Sequence, residues 1–271
     1  MTLRPIVVAD SITRVGGEAA GAVVVNGSHG GRYAAYLAAK LHVAAAIFND
    51  AGVGRESAGI SGLPYLAGLG IAAAAVGHAS ARIGDGADMM ARGRISHANE
   101  LAAALGCAAG MASAEAAARL QKAPAAGREP PPEDEAAFLL IPEPPSLWAL
   151  DSASLVGPEH KGAVVATGSH GGLLGGQPDT ALKYDALAAL FNDAGIGADE
   201  AGTTRLPALD ARGIAAATVA AASARIGEGR STYEDGTVSR VNDCAAQLGA
   251  RPGMTAREFV AIVRRTATEG G

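Results

Sequence analysis

The 271-residue chain has little of what marks many functional classes. It holds only two cysteines, Cys107 and Cys244, and they form no C-x-x-C pair. No disulfide framework follows from them, and both read as small buried hydrophobes. Aromatic residues make up 4%, too few for platforms on which bases stack. The formal net charge is −5, so the basic surplus of a nucleic-acid binder is missing. Apolar runs such as IAAAAV at 71–76 fall far short of the ~20 residues of a membrane helix. The opening MTLRPIVVADS lacks the charged-then-apolar layout of a signal segment. These absences lead to the expectation of a cytoplasmic protein with neither a nucleic-acid nor a membrane partner.

Cofactor motifs are scarce too. No G-x-x-x-x-G-K-[ST] occurs, and the glycines over 52–59 and 195–202 do not keep G-x-G-x-x-G spacing. No H-x-H or H-E-x-x-H is present. Neither a nucleotide cofactor nor a metal is expected.

What the chain does have is repetition. GAVVVNGSHGG at 21–31 returns as GAVVATGSHGG at 162–172, and FNDAGVG at 48–54 returns as FNDAGIG at 191–197. SARIGDG at 80–86 returns as SARIGEG at 223–229, and Asn99 has its match in Asn242. LLGGQP at 173–178 follows the second Ser-His, where the first copy runs straight into a helical pattern. A period this long fits two domain-sized modules rather than a solenoid. The expected organisation is a first α/β repeat over 1–121, a Pro-rich linker over 122–146 and a second α/β repeat over 147–271.

Within a repeat, short β-branched runs alternate with Ala/Leu-rich stretches. IVVAD at 6–10, AVVVN at 22–26, AAAIF at 44–48 and IAAAAV at 71–76 read as strands. Residues 33–41, 57–68, 96–105 and 255–265 read as helices, the last with Thr255 and Glu258 at capping-box spacing. The fold class is therefore α/β: two tandem homologous repeats related by a pseudo-two-fold, each a mainly parallel sheet flanked by helices. The segment joining the first two strands is short for a crossover, so that pair is expected to be antiparallel.

In each repeat the predicted strands end in polar residues. The first copy presents Asp10-Ser11, Ser28-His29, Asn49-Asp50 and Ser80 with Arg82. The second presents Asp151-Ser152, Ser169-His170, Asn192-Asp193 and Ser223 with Arg225. Ligands of open parallel sheets bind beyond the carboxyl ends of the strands, so these groups are the candidate site. Ser28, His29, Asp50, Ser169, His170 and Asp193 are the catalytic candidates. His would be the general base, Asp its orienter and Ser a nucleophile or oxyanion donor. Gly30, Gly31, Gly171 and Gly172 would let backbone approach an anion. Arg82 and Arg225 would grip a carboxylate or phosphate, unless salt bridges occupy them. His78, His97 and His160 have no histidine counterpart in the other copy and read as ordinary surface or boundary residues.

An apolar run followed by Ser/Thr-His-Gly resembles the histidine block of caspase-like cysteine peptidases. The next core strand of that family ends in the nucleophilic cysteine. Here it ends in Asn49-Asp50, or Asn192-Asp193, so the resemblance implies no peptidase activity.

The expected function is a small-molecule enzyme, a hydrolase of an amide or other C–N bond in an anionic metabolite. An isomerase or lyase using the same histidine, and a two-lobed binding protein, remain alternatives. A tandem repeat can mimic a two-fold dimer, and a homo-oligomer stays open beside it.

Overall fold

The computed structural model describes residues 3–124 and 128–269. Residues 125–127 of the expected linker lie outside them, as do the first two and last two residues of the chain. The chain forms two compact units. One comprises Met1–Val53, Ser57–Asp134 and Ile196–Ala201; the other comprises Gly54–Glu56, Glu135–Gly195 and Gly202–Gly271. Each is an α/β unit built on a mixed sheet.

The first unit has five strands in the order β1-β2-β3-β4-β5: β1 (Ile6–Ala9), β2 (Val23–His29), β3 (Ala45–Asn49), β4 (Ala72–Val76) and β5 (Ile95–Ala98). The first four are parallel and β5 is antiparallel to β4. The β1–β2 pair thus corrects the antiparallel expectation. Residues 10–22 wind through two 3-10 turns, and this stretch meets the dozen or so residues that a parallel crossover needs.

Side chains alternate across the sheet. Val23, Val25, Ala45, Ile47, Ala72 and Ala74 pack on one face, beneath α3 (Gly86–Arg92), α4 (Glu100–Ala104) and α5 (Ser113–Leu120). Val24, Ala46, Phe48, Ala73 and Ala75 pack on the other, beneath α1 (Arg32–Lys40) and α2 (Gly62–Gly68). Two expected helices are shorter than their sequence patterns. Residues 57–68 divide into a 3-10 turn, Arg55–Ile60, and α2, whose first turn tolerates Pro64. The pattern over 96–105 divides at Asn99 into β5 and α4.

The second unit has six strands in the order β11-β10-β9-β8-β7-β6. They are β6 (Ala137–Ile141), β7 (Leu147–Leu150), β8 (Val164–His170), β9 (Ala188–Asn192), β10 (Ala215–Val219) and β11 (Val238–Val241). β7 to β10 are parallel, with antiparallel strands at both edges. β6 comes from the stretch read as linker. Its sequence AFLLI is strand-like once the prolines at 130–132 are passed. The helices are α6 (Arg205–Asp210), α7 (Gly229–Glu234), α8 (Asp243–Gln247) and α9 (Ala256–Glu269). The expected capping box forms at the start of α9, with Thr255 and Glu258 bonded reciprocally.

Asn99 shows how buried amides lock these layers. Its Oδ1 accepts from Ala102 N, capping α4, and from Ala73 N in β4. Its Nδ2 donates to the carbonyls of Leu63 and Ile71. Asn242 makes the matching set with Ala245, Ala216, Leu206 and Ile214. Asn99→Ala would strand buried donors and acceptors and is expected to cost roughly 2–4 kcal/mol. Urea denaturation checks this; a loss below about 0.5 kcal/mol would contradict the assigned role.

Candidate functional site

Every strand-end group named above lies at the carboxyl edge of its sheet or in the loop that follows. β2 carries an irregularity between Val25 and His29, and β8 the same between Ala166 and His170. A bulge of this kind re-aims the side chains beyond it. Gly27 is required there because a Cβ would come within 2.5 Å of Asp85 N and 2.6 Å of the Asp10 carbonyl. The backbone of the next loop crosses at that point, with Gly84 N donating to Gly27 O.

The Ser-His pairs take roles other than those expected. Ser28 Oγ accepts from Ile12 N at 3.0 Å and lies 3.2 Å from Ser11 Oγ. Ser169 Oγ accepts from Ala153 N at 2.9 Å. Among the described residues neither hydroxyl bonds an imidazole; both tie neighbouring strand ends together. His29 Nδ1 accepts from Gly31 N at 3.1 Å, and His170 Nδ1 from Gly172 N at 3.2 Å. A neutral ring whose Nδ1 accepts carries its proton on Nε2, which makes it a donor rather than a base. Burial lowers the His29 pKa to about 4, so the ring is neutral at neutral pH.

Asp50 pairs not with His29 but with His78. Its Oδ1 accepts from His78 Nδ1 at 2.9 Å, from His78 N at 2.9 Å and from Gly52 N at 3.0 Å. Burial raises the Asp50 pKa, but bonds from the His78 side chain and backbone and from Ser96 outweigh it and hold it low. The carboxylate is therefore charged, and His78 Nδ1 carries the shared proton. The His78 side chain is 33% exposed and that of Asp50 only 5%.

Asp50 is followed by a run of left-handed residues: Ala51, Gly52, Val53 and Gly54 have φ of 49°, 73°, 61° and 70°. A β-branched residue such as Val53 rarely adopts this region, and such strain concentrates at functional sites.

The remaining candidates hold loops. Asp10 Oδ1 accepts from Gly86 N, and Asp151 from Gly229 N and Ala136 N. Ser11 and Ser152 cap the turns after β1 and β7. Asn49 Oδ1 accepts from Ala51 N, and Asn192 Oδ1 from Ala194 N. Ser80 bonds Gly77 O and Arg94 N; Ser223 bonds Ala220 O and Thr237 N. Gly30 and Gly31 lead into α1, and Gly31 N is committed to His29. Gly171 N donates to Asn192 O and Gly172 N to His170.

Arg82 is held by Asp85, Asp88 and Asp199, all of the same unit. Arg225 is held by Glu228, Glu56 and Asp235 of its own unit. Neither guanidinium is the open anchor that was expected; the salt-bridge alternative holds. Asp193 Oδ1 accepts from Gly195 N and Ala221 N.

Two groups escaped the sequence reading. His78 has no histidine counterpart in the other copy and carries no motif. Glu135 fell in the expected linker. Burial raises its pKa to about 6, with Ser152 and Ser154 bonding it and Asp151 nearby. His160 is not a surface residue but is buried beside Trp148, with ring centroids 4.9 Å apart. Among the described residues no group of three or more His, Cys, Asp or Glu is placed to hold a metal, and no helix is long and apolar enough to cross a membrane.

The chain matches no protein-family model, no curated protein and no solved structure.

The His29 ring gives a pH test. The unfolded chain binds a proton near 6.5, whereas the folded ring binds it only near 4. Stability is therefore expected to fall as pH drops through that window, and His29→Gln should flatten the fall. A proton-NMR titration placing the His29 midpoint above 6 would contradict this.

Proposed function

We propose that the chain is an enzyme of small-molecule metabolism that hydrolyses an amide or other C–N bond by general acid–base catalysis. The observation that carries this reading is the half-exposed His78 ring fixed by a buried, charged Asp50. With Nδ1 donating to Asp50, the Nε2 lone pair is the basic one. In the proposed step Nε2 takes a proton from water as its oxygen bonds to the substrate carbon. The same proton then passes to the nitrogen as the C–N bond breaks. Neutral His29, protonated on Nε2, suits a donor to the developing oxyanion. Only β3 separates β2 from β4, so the two backbone positions lie roughly 10 Å apart, two strand spacings, within the span of a small metabolite.

The substrate is a small polar molecule. Because Arg82 and Arg225 are committed to carboxylates, this reading assigns them no part in holding an anionic group. A second reading, proton abstraction beside a carbonyl by an isomerase or lyase, is favoured by one fact. Among the described residues neither Ser28 nor Ser169 bonds an imidazole, so neither is set up as an activated nucleophile.

The two units are further read as homologous repeats. FNDAGVG and FNDAGIG carry the same run of left-handed residues, and Asn99 and Asn242 make matching bonds.

Incubation with a metabolite mixture, followed by mass spectrometry, tests the reading. His78→Ala and Asp50→Asn are each expected to slow depletion of the substrate by about 10²–10⁴. Oxygen-18 from labelled water should enter the product of hydrolysis but not that of isomerisation. A metabolite that stabilises the protein without being consumed would mark a binding protein instead. Unchanged depletion in both variants would overturn the reading.

A further inference from the structure

The second unit keeps the cradle of the Asp50–His78 pair and omits the imidazole. Asp193 Oδ1 accepts from Gly195 N and Ala221 N, both at 2.9 Å, as Asp50 Oδ1 accepts from Gly52 N and His78 N. Ala194, Gly195, Ile196 and Gly197 have φ of 50°, 75°, 64° and 74°, within a few degrees of residues 51–54. The backbone is thus set for the same pair, and an alanine methyl stands where His78 has its ring.

Two more differences run the same way. Ser96 and its counterpart Ser239 both donate to the carbonyl of the facing strand, of Ala75 and Thr218; Ser96 is among the groups that hold the Asp50 pKa low, whereas Ser239 also lies 3.0 Å from Thr218 Oγ1, at the position held by Ala75. Arg205 takes the place of Gly62. It is 5% exposed, with Nε on the Gly172 carbonyl at 3.0 Å and Nη1 on that of Ala181 at 2.6 Å. It packs the loop beside His170, which is itself 6% exposed. Loss of the base, diversion of the serine and filling around the second histidine would all follow if only one copy were under demand for chemistry.

We propose that each chain carries a single proton-transfer centre, in the first unit, and that the second unit holds a dormant copy without the imidazole. This rests on the His78–Asp50 reading and on the units being repeats. It implies one substrate bound per chain.

Proton NMR on protein with ¹⁵N-labelled histidine tests it without any substrate. An imidazole N–H shared with a carboxylate resonates far downfield and can be counted. The wild type should show one such signal that depends on Asp50. Asp50→Asn and His78→Ala should each remove it, and Asp193→Asn should leave it. Ala221→His should add a second signal that disappears again in Ala221→His/Asp193→Asn. Because Ala221 is buried, Ala221→His/Thr218→Ala gives a roomier second trial.

A wild-type signal that depends on Asp193 would overturn the proposal, as would folded forms of both Ala221 variants with no added signal. Absence of any Asp50-dependent signal in the wild type would instead remove the His78–Asp50 reading itself. Once a substrate is found, two bound per chain would also refute the single centre.

Discussion

One buried carboxylate organises the carboxyl edge of the first unit's sheet. Asp50 sits at the end of a central strand, where three N–H groups converge on a single oxygen. Two come from backbone and one from a ring, so the same charge that closes the left-handed turn also fixes an imidazole. Charge-assisted bonds of this kind are roughly twice as strong as neutral ones, and they outweigh the burial that opposes ionisation. The strained φ values of Ala51 and Val53 persist because that carboxylate and the surrounding backbone bonds hold them.

The rest of the edge is polar for a mechanical reason. The fourth parallel strand of each sheet is built mainly from small residues: β4 is four alanines and a valine, and β10 reads AAATV. Such strands bring little side-chain bulk to hold the loops beyond them. Hydroxyls, amides and carboxylates at strand ends do this work instead, as Ser28, Asn49, Asp10 and Ser80 show. A row of polar residues at strand ends therefore marks scaffold as readily as a candidate site.

Much of the fold was legible in residue order. Alternation of apolar runs with Ala/Leu stretches marks the α/β class, and the four predicted strands of the first unit all form. The parallel β1–β2 pair was missed because a winding connection of two 3-10 turns looks too short until its path is known. β6 was missed because prolines and charges just before it resemble a linker. At the candidate site, sequence paired Asp50 with His29, whereas its carboxylate bonds His78. Adjacency within GSHGG drew attention to His29, whose Nδ1 is occupied by the amide two residues on. His78 carries no local motif. Its partner lies across a strand boundary, and it has no histidine counterpart in the other copy.

The alanines of β4 have a consequence for how the first unit assembles. Alanine is the strongest helix former, so Ala72–Val76 on its own leans toward a helix rather than an extended strand. Its extended form is imposed by the ladders to β3 and β5 on either side. The local preference and the final structure disagree there, which is a point of frustration in the folding landscape. β4 should therefore become extended only as its neighbours close around it, making the strand that leads into His78 a latecomer in folding.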